Sequence, residues 1–179
     1  MNNLDVLSAT DAPEASQPLL AKSLKAFGVI PNLHAVMAVS PSVLDAYQQL
    51  HHLFQNSSFN NEELTVIWQT INVESECHYC IPAHTFIAHN MKVAPSLNDA
   101  LRNRTAMPTE KLQALHETTL KVIRQRGKVS NSDVDTFYKA GYGPQQLAEI
   151  VLGIAQKVLS NYINHLANTP IDNMMKDFV

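Results

Sequence analysis

Apolar residues recur every three or four positions along most of the chain, which is the period of an amphipathic α-helix. Five segments show this period clearly, and they span residues 42–54, 63–73, 109–127, 130–141 and 144–170. The segment 63–73 is rich in β-branched residues, so a strand is a weaker alternative there. No rhythm of strands and turns, no internal repeat and no linker breaks the pattern. The sequence therefore predicts an all-α, single-domain helical bundle.

Residues that start or stop helices flank three of these segments. Pro41 precedes the first segment, at a position where a first helical turn tolerates proline. Gly127 follows Arg124 and Arg126, and this order of cations and then glycine indicates a helix end. Ser130 and Asp133 have the spacing of a capping box, with aspartate in place of glutamate or glutamine, and indicate a helix start.

The longest segment, 144–170, carries an apolar face that is wide for a single neighbouring helix. One side of it is lined by Leu147, Val151, Ile154, Val158, Tyr162 and Leu166. Three further residues widen that face: Ile150, Leu159 and Ile163. Broad exposed apolar surface is unusual on a monomer. We therefore expect this helix to be buried on more than one side, and the protein to be a homo-oligomer.

Length, charge and composition narrow the class of protein. The chain has 179 residues and a formal net charge of −3, and a chain of this size buries about 70% of its surface without needing disulfides or metals. The basic residues are scattered, so no nucleic-acid partner is expected. No apolar run approaches the roughly 18 residues of a membrane span. The N-terminus lacks the features of a signal peptide, so we expect a cytoplasmic location and no membrane partner.

The N-terminal residues differ from the rest of the chain. Residues 1–16 are small and polar and show no apolar period. Chain ends of this kind are often poorly ordered unless something ties them down. We predict a flexible arm over residues 1–16 and a folded domain over residues 17–179.

The only two cysteines stand three residues apart, within ESECHYCIPAHTFIAH at 74–89. On a helix, Cys77, Cys80 and His84 would share one face. Pro82 belongs in a first turn, so the sulfurs are expected near a helix N-terminus, where free N–H groups favour an anion. Cysteines in such a setting beside an imidazole have lowered thiol pKa values. The second sulfur is close enough to form a disulfide, so the motif predicts a redox-active dithiol.

Four other interpretations compete with the dithiol. A zinc site would need a fourth ligand beyond the two cysteines and His84, and the available histidines are His34, His51, His116 and His165. Covalent haem attachment requires histidine directly after the second cysteine, where Ile81 stands. A thioredoxin-like motif would lie near a βαβ unit, which the helical pattern does not favour. The cysteines could also be buried packing residues. The histidines at 51 and 52 are expected on a surface-like part of their helix.

The motif C-x-x-C-x-x-x-H, at the start of a helix in an all-α chain, resembles the AhpD-like branch of the carboxymuconolactone decarboxylase family. The stretch GVIPNLHAVMAVSPSVLDAYQQL, at 28–50, is similar to the N-terminal half of that family. The stretch FYKAGYGPQQLAEIVLGIAQKVLSNYINHLANTPID, at 137–172, is similar to its C-terminal helix and tail. The similarity runs roughly from residue 20 to residue 173.

The resemblance implies an AhpD-like alkylhydroperoxidase, a thiol-dependent peroxidase with peroxiredoxin-type activity and with no cofactor or metal. It implies that Cys80, nearest to His84, meets the hydroperoxide, that Cys77 resolves it, and that His84 is the relay base. It further implies a dithiol or lipoyl-type reductant and a homo-oligomer, either a trimer or a hexamer made from trimers.

One position departs from the family's pattern. AhpD-like relatives place a relay glutamate twelve residues before the first cysteine, and here that position is Thr65. Glu62 and Glu63 lie nearby but in a different helical register. Because threonine cannot take up a proton near neutral pH, we expect weak peroxidase turnover and an intact dithiol. The alternatives are a disulfide reductase without a peroxidase role and a non-enzymatic redox-sensing oligomer. Lactone decarboxylation is less expected, because the decarboxylase branch lacks the dithiol.

Overall fold

The computed structural model of the chain describes residues 4–179. The all-α prediction is confirmed, because these residues form nine α-helices and no strand. The helices are α1 (Gln17–Phe27), α2 (Asn32–Met37), α3 (Pro41–Gln55), α4 (Asn61–Glu74), α5 (Cys80–Asn90), α6 (Pro95–Arg102), α7 (Glu110–Arg124), α8 (Asn131–Lys139) and α9 (Pro144–Ala167). Two short 3-10 segments, Glu14–Ser16 and Asn173–Phe178, flank them.

The helix ends lie where the sequence predicts them. Helix α3 begins at Pro41. Helix α7 ends at Arg124, and Gly127 beyond it has a φ of 79°, in the left-handed region that favours glycine. The capping box of α8 is formed in both directions, since Ser130 accepts from the Asp133 backbone and Asp133 accepts from the Ser130 backbone. These boundaries follow from short-range chemistry and need no tertiary contact.

Helix α4 is the central helix of the bundle. The strand alternative for residues 63–73 is wrong, because every residue from Glu63 to Val73 is buried within one continuous helix. Helices α5, α6, α7 and α9 all pack against it. A helix that is enclosed on all sides carries apolar or bonded residues around its whole circumference. This explains why the polar residues Gln69 and Asn72 are buried in it as well.

Helix α9 turns a largely polar side toward the interior of the chain. Its buried residues are Ile150, Gly153, Gln156, Lys157, Ser160, Asn161 and Asn164. Three members of the predicted apolar face are more than half exposed in the single chain, Val151 at 54%, Tyr162 at 59% and Leu166 at 60%. Burial of this face against a second copy of the chain stays a prediction. The N-terminal part of the inward side, at Ile150 and Gly153, packs on the apolar core. The part from Lys157 to Asn164 is polar because it faces the cysteine site. Neither α9 nor any other helix within residues 4–179 has the length and apolar character needed to cross a membrane.

Two apolar clusters hold the bundle together. The larger one surrounds α4 and includes Phe54, Trp68 and Leu115. The smaller one joins α1, α2, α3, the start of α5 and the C-terminal segment, and it contains both Cys77 and Cys80. The cysteines therefore lie inside packed structure, where their surroundings are fixed by four different parts of the chain.

The predicted N-terminal arm lies along α2 where it is described. Residues 1–3 fall outside the described part of the chain. The Leu7 backbone N–H donates to the Ala35 carbonyl at 3.4 Å, and the Ser16 hydroxyl donates to the Ala38 carbonyl at 2.7 Å. Ala12 is buried. The flexibility of residues 1–16 in solution stays a prediction.

Gly153 allows α9 to pack closely against the core. An added Cβ there would lie 2.8 Å from two ring atoms of Phe54 and 3.1 Å from Ile67 Cγ2. Phe54 is fully buried and cannot move aside. We expect Gly153→Ala to lower the free energy of unfolding by about 1–3 kcal/mol through overpacking, measured by urea denaturation.

The matched control is Gly143→Ala at the start of the same helix. Its added Cβ would meet only the end of the Gln146 side chain, at 3.4 Å, so the expected loss is below about 1 kcal/mol. Equal unfolding midpoints for the two variants would contradict the packing described for Gly153.

Candidate dithiol site

The two cysteines flank the start of α5. Cys80 is the first residue of that helix, and Pro82 lies in its first turn, as predicted. Cys77 lies in the turn before the helix and not on the same helical face, which corrects the sequence expectation. Its carbonyl accepts from the Ile81 N–H at 3.1 Å, so the turn leads directly into the helix. The Cys80 N–H donates to Cys77 Sγ at 3.3 Å.

Buried amides of α4 hold the first turn of α5 in place. Asn72 Nδ2 donates to the Cys80 carbonyl at 3.2 Å and to Gln69 Oε1 at 3.0 Å. Gln69 Nε2 donates to the Ile81 carbonyl at 3.1 Å and to Thr85 Oγ1 at 2.9 Å. Because buried polar groups cost free energy unless they are bonded, these contacts fix where Cys80 points.

Helix α9 supplies the polar groups that reach the reactive side chains. Asn164 Nδ2 donates to Cys80 Sγ at 3.2 Å. Lys157 Nζ lies 2.9 Å from His84 Nε2. Lys157 and Asn164 are seven residues apart and so occupy the same side of the helix. Both are completely buried, at 1% and 0% exposure. We call Cys77, Cys80, His84, Lys157 and Asn164 the dithiol site.

The two thiols of the site differ in pKa. Burial raises the pKa of the Cys80 thiol, but the Cys77 thiol, the charge of Lys157, the amide of Asn164 and the hydroxyl of Ser160 together lower it to about 6. The hydrogen bond with Cys80, and then burial, raise the pKa of Cys77. At neutral pH Cys80 is therefore the thiolate and Cys77 the thiol.

His84 is brought to the site as predicted, and it is uncharged. Burial lowers its pKa well below the ordinary value, and the charge of Lys157 lowers it further. The Trp68 ring packs against the imidazole with 4.9 Å between ring centroids. Burial also lowers the pKa of Lys157, whereas the two cysteines raise it. His84 thus has its ring orientation fixed by Trp68 and one ring nitrogen directed at Lys157.

A cavity of about 90 Å³ leads to Cys80. Most of its wall is apolar or aromatic, and comes from α1, α2, α3, α5 and the C-terminal 3-10 segment. Representative wall residues are Phe27, Leu33, Tyr47, Phe86, Ile87 and Met175. Cys80, His84 and Lys157 also line it, whereas Cys77 does not. A ligand in this cavity would therefore meet Cys80 before Cys77.

His51 was expected at the surface, and that expectation is wrong. It lines the cavity and stacks on Trp68 with an interplanar angle of 14°. Gln156 links the two rings, because it accepts from Trp68 Nε1 at 2.8 Å and its Nε2 lies 3.0 Å from His51 Nδ1. Its position four residues after the buried Tyr47 is the one sequence signal that places His51 on the inner side of α3.

The histidines proposed as zinc ligands are engaged elsewhere. His34 bonds to Ser23 Oγ at 2.8 Å, and His116 bonds to Thr70 Oγ1 at 2.7 Å. His165 is exposed. Within residues 4–179, no three His, Cys, Asp or Glu side chains converge as a metal-binding group.

No carboxylate takes the place of the glutamate absent at position 65. Thr65 is buried, and its hydroxyl donates to the Asn61 carbonyl at 2.8 Å. Glu62 is exposed. Glu63 caps the start of α4 and pairs with Lys111 at 3.0 Å. The residues that line the cavity include no Asp or Glu.

Comparisons with known proteins support the fold. No family model and no curated protein sequence matches the chain. Solved structures do match it. An uncharacterized peroxidase-related protein from Ralstonia eutropha JMP134, described as an alkylhydroperoxidase AhpD core, has a TM-score of 0.84 and 19% identity, covering 95% of this chain and 92% of that one.

Two further structures have the same fold. An uncharacterized peroxidase-related protein from Silicibacter sp. TM1040 has a TM-score of 0.81 and 16% identity, covering 96% of this chain and 91% of that one. The debrominase Bmp8 in complex with 2,3,4-tribromopyrrole has a TM-score of 0.77 and 17% identity, covering 99% of this chain and 96% of that one. The chain therefore has the AhpD-like all-α fold, which these peroxidase-related proteins and a debrominase share.

Asn164→Ala tests the stabilisation of the thiolate. Because a hydrogen bond favours the charged sulfur over the neutral one, its loss should raise the pKa of Cys80 by roughly 1–2 units. The pH dependence of iodoacetamide alkylation, assigned to Cys80 by peptide mass, measures this pKa.

Asn161→Ala is the matched control, since Asn161 is also buried on the inner side of α9 but its amide bonds to no described residue. It should shift the pKa of Cys80 far less. Equal shifts in the two variants, or no shift in Asn164→Ala, would contradict the role assigned to Asn164.

Proposed function

We propose that the protein is a thiol-dependent peroxidase, an AhpD-like alkylhydroperoxidase in which Cys80 reduces a hydroperoxide and Cys77 resolves it. The supporting observation is the asymmetry of the two cysteines. Cys80 lines the cavity and has a pKa of about 6, whereas Cys77 lies behind it with a raised pKa. A nucleophile must be both ionised and reachable, and Cys80 is the cysteine that combines these properties.

The chemistry proceeds in two balanced steps. The Cys80 thiolate attacks one peroxide oxygen, so that an S–O bond forms, the O–O bond breaks, and the departing alkoxide takes a proton to become an alcohol. The Cys77 sulfur then displaces the hydroxyl of the sulfenic acid. An S–S bond forms, and the hydroxyl leaves as water with the Cys77 proton.

An external dithiol closes the cycle. Because Cys80 is the sulfur that faces the cavity, an incoming thiolate attacks Cys80, and Cys77 is the leaving group. A second thiol of the reductant then releases Cys80 and carries away the oxidising equivalents as its own disulfide. A lipoyl-type dithiol fits this role, as the family resemblance implies. The reducing cytoplasm is the proposed location, since it keeps such pairs supplied with electrons.

Reductive dehalogenation of a ring compound is a second candidate. The specific observation is the cavity wall, which is apolar and carries the rings of Tyr47, Phe86 and His51 next to Cys80. A protein of the same fold binds 2,3,4-tribromopyrrole. In such a reaction a carbon–bromine bond is replaced by a carbon–hydrogen bond, the dithiol is oxidised to the disulfide, and bromide leaves.

We further propose that the protein is a homo-oligomer, either a trimer or a hexamer made from two trimers. The support is apolar surface on two helices that pack together, with Leu53 of α3 56% exposed and Val151 and Tyr162 of α9 exposed to a similar degree. Multi-angle light scattering should return three or six times the 19.9 kDa chain mass. A monomer at micromolar concentration would refute this assembly.

Reaction with peroxide tests the main proposal. Reduced protein mixed with hydrogen peroxide or cumene hydroperoxide should lose about 2 Da, the mass of two hydrogens, and both alkylatable thiols. The rate is followed by stopped flow and the product by intact mass. If both cysteines remain alkylatable after either peroxide, the peroxidase proposal fails.

Variants and a second substrate separate the alternatives. Cys80→Ser should not react, whereas Cys77→Ser should stop at a sulfenic acid on residue 80 that dimedone traps. Oxidation by a small disulfide without any reaction with peroxide would indicate a disulfide reductase. Oxidation without turnover in the presence of dithiothreitol would indicate a redox sensor. Release of bromide from a brominated pyrrole would favour the dehalogenase.

A further inference from the structure

Lys157 is the charged side chain of the cavity wall. Among the described residues that line the cavity, no other lysine, arginine or carboxylate is present. Its Nζ lies 2.9 Å from His84 Nε2, and the residue is 1% exposed. The ion pairs found within residues 4–179 join Lys111 to Glu63, Lys121 to Asp133 and Arg124 to Glu74, so none of them includes this buried lysine.

A buried ammonium group needs a compensating charge nearby. Transfer of an unpaired charge out of water costs several kcal/mol or more, and the group otherwise loses its proton. The groups beside Lys157 are the neutral His84, at 2.9 Å, and the thiolate of Cys80, which lines the same cavity. The thiolate is thus the counter-ion, and each charge depends on the other.

We propose that Lys157 is a catalytic residue of the dithiol site, which pairs with the Cys80 thiolate and supplies the proton that the departing alkoxide takes up. This inference rests on the proposed peroxidase function. Lys157 thereby fills the place of the carboxylate that is absent at Thr65. Its position next to His84, in the wall of the cavity that Cys80 also lines, puts a proton donor at the polar end of an otherwise apolar cavity.

The proton balance follows from this assignment. Before the reaction the site holds a thiolate, a thiol and an ammonium group, and the peroxide enters neutral. Afterwards it holds a disulfide and a neutral amine, and an alcohol and water leave. The charges sum to zero on both sides. Once the thiolate is gone, the buried lysine has no counter-ion and stays neutral. Reduction of the disulfide returns both charges together.

His84 positions the lysine and can pass its proton on. The Trp68 ring holds the imidazole, and the neutral Nε2 faces the ammonium group. The Trp68 ring, which comes from helix α4, carries no charge. The titratable groups that share the cavity or its floor with Lys157 come from α2, α3, α5 and the turn before α5. They are His34, Tyr47, His51, Cys77, Tyr79, Cys80 and His84. The histidines at 34 and 51 are both uncharged at neutral pH because burial lowers their pKa values, to about 3 and about 4.

Lys157→Met is the first test, because methionine keeps the length and apolar stem and removes the charge. Loss of a neighbouring opposite charge should raise the pKa of Cys80 by roughly 1–3 units, measured by alkylation with peptide mapping. The rate with cumene hydroperoxide at pH 7 should fall by about 100-fold or more, from the smaller thiolate fraction and the missing acid. Lys128→Met, at an exposed lysine, is the matched control and should change neither quantity.

The pH profile separates proton donation from a structural role. At pH 9.5 most of Cys80 in Lys157→Met is ionised, so a purely electrostatic or structural lysine would allow the wild-type rate there. We expect the variant to remain at least about tenfold slower, because general acid assistance is typically worth roughly 10²–10⁴-fold. Recovery of the wild-type rate at pH 9.5, or an unchanged pKa of Cys80, overturns the proposal.

The wild-type protein provides a test that does not depend on any variant folding. In weak buffer at pH 8 with an indicator dye, one turnover with cumene hydroperoxide should take up almost no protons from solvent, since Lys157 supplies the one required. Uptake of about one proton per disulfide overturns the proposal. If the wild type forms no disulfide with peroxide, the peroxidase function fails instead, and the alkylation measurement on Lys157→Met still decides the pairing with Cys80.

Discussion

The burial of one ammonium group beside one thiolate is the constraint on which the dithiol site depends. Lys157 and Cys80 are both about 1% exposed, and neither charge is stable there without the other. The pairing explains why the polar side of α9 faces inward, and why Asn164 donates to the sulfur. The charge of Lys157 also adds to the burial that keeps His84 uncharged. The acidity of Cys80 thus depends on Cys77 within the motif and on Lys157, Ser160 and Asn164 of α9.

The fold supplies the rigidity that this pairing requires. Helix α4 is enclosed by four other helices, and its amides at Gln69 and Asn72 hold the start of α5 from one side. The Trp68 ring contacts His84 from the same helix, and Gln156 ties that ring to α9. The C-terminal 3-10 segment covers the cavity through Met175, which is buried. The positions of the polar groups at the site are therefore fixed by packing contacts that do not involve the two sulfur atoms.

Short-range features of the site could be predicted from sequence, and long-range ones could not. The cysteine pair, His84, the turn at Pro82 and the capping residues depend on neighbours within a few positions. Lys157 is 73 residues from His84, and in the sequence it is one lysine in an apolar helix. Apolar periodicity predicts the buried side of a helix only when the neighbouring core is apolar. On α9 the neighbour within the chain is the dithiol site, so apolar periodicity did not indicate the polar side that faces it. The sequence signal for the inward side of α9 is the recurrence of polar residues at helical spacing, at Lys157, Ser160, Asn161 and Asn164.

The asymmetry of the two cysteines is the central claim, and the pH dependence of alkylation at each cysteine in the reduced wild-type protein tests it most directly. Iodoacetamide modification is quenched at successive pH values and assigned to residue 77 or 80 by peptide mass. Cys80 should react with a midpoint near pH 6, and Cys77 should stay unmodified well above the ordinary cysteine pKa of about 8.5. Titration of both residues together near pH 8.5, or earlier modification of Cys77, would contradict the account.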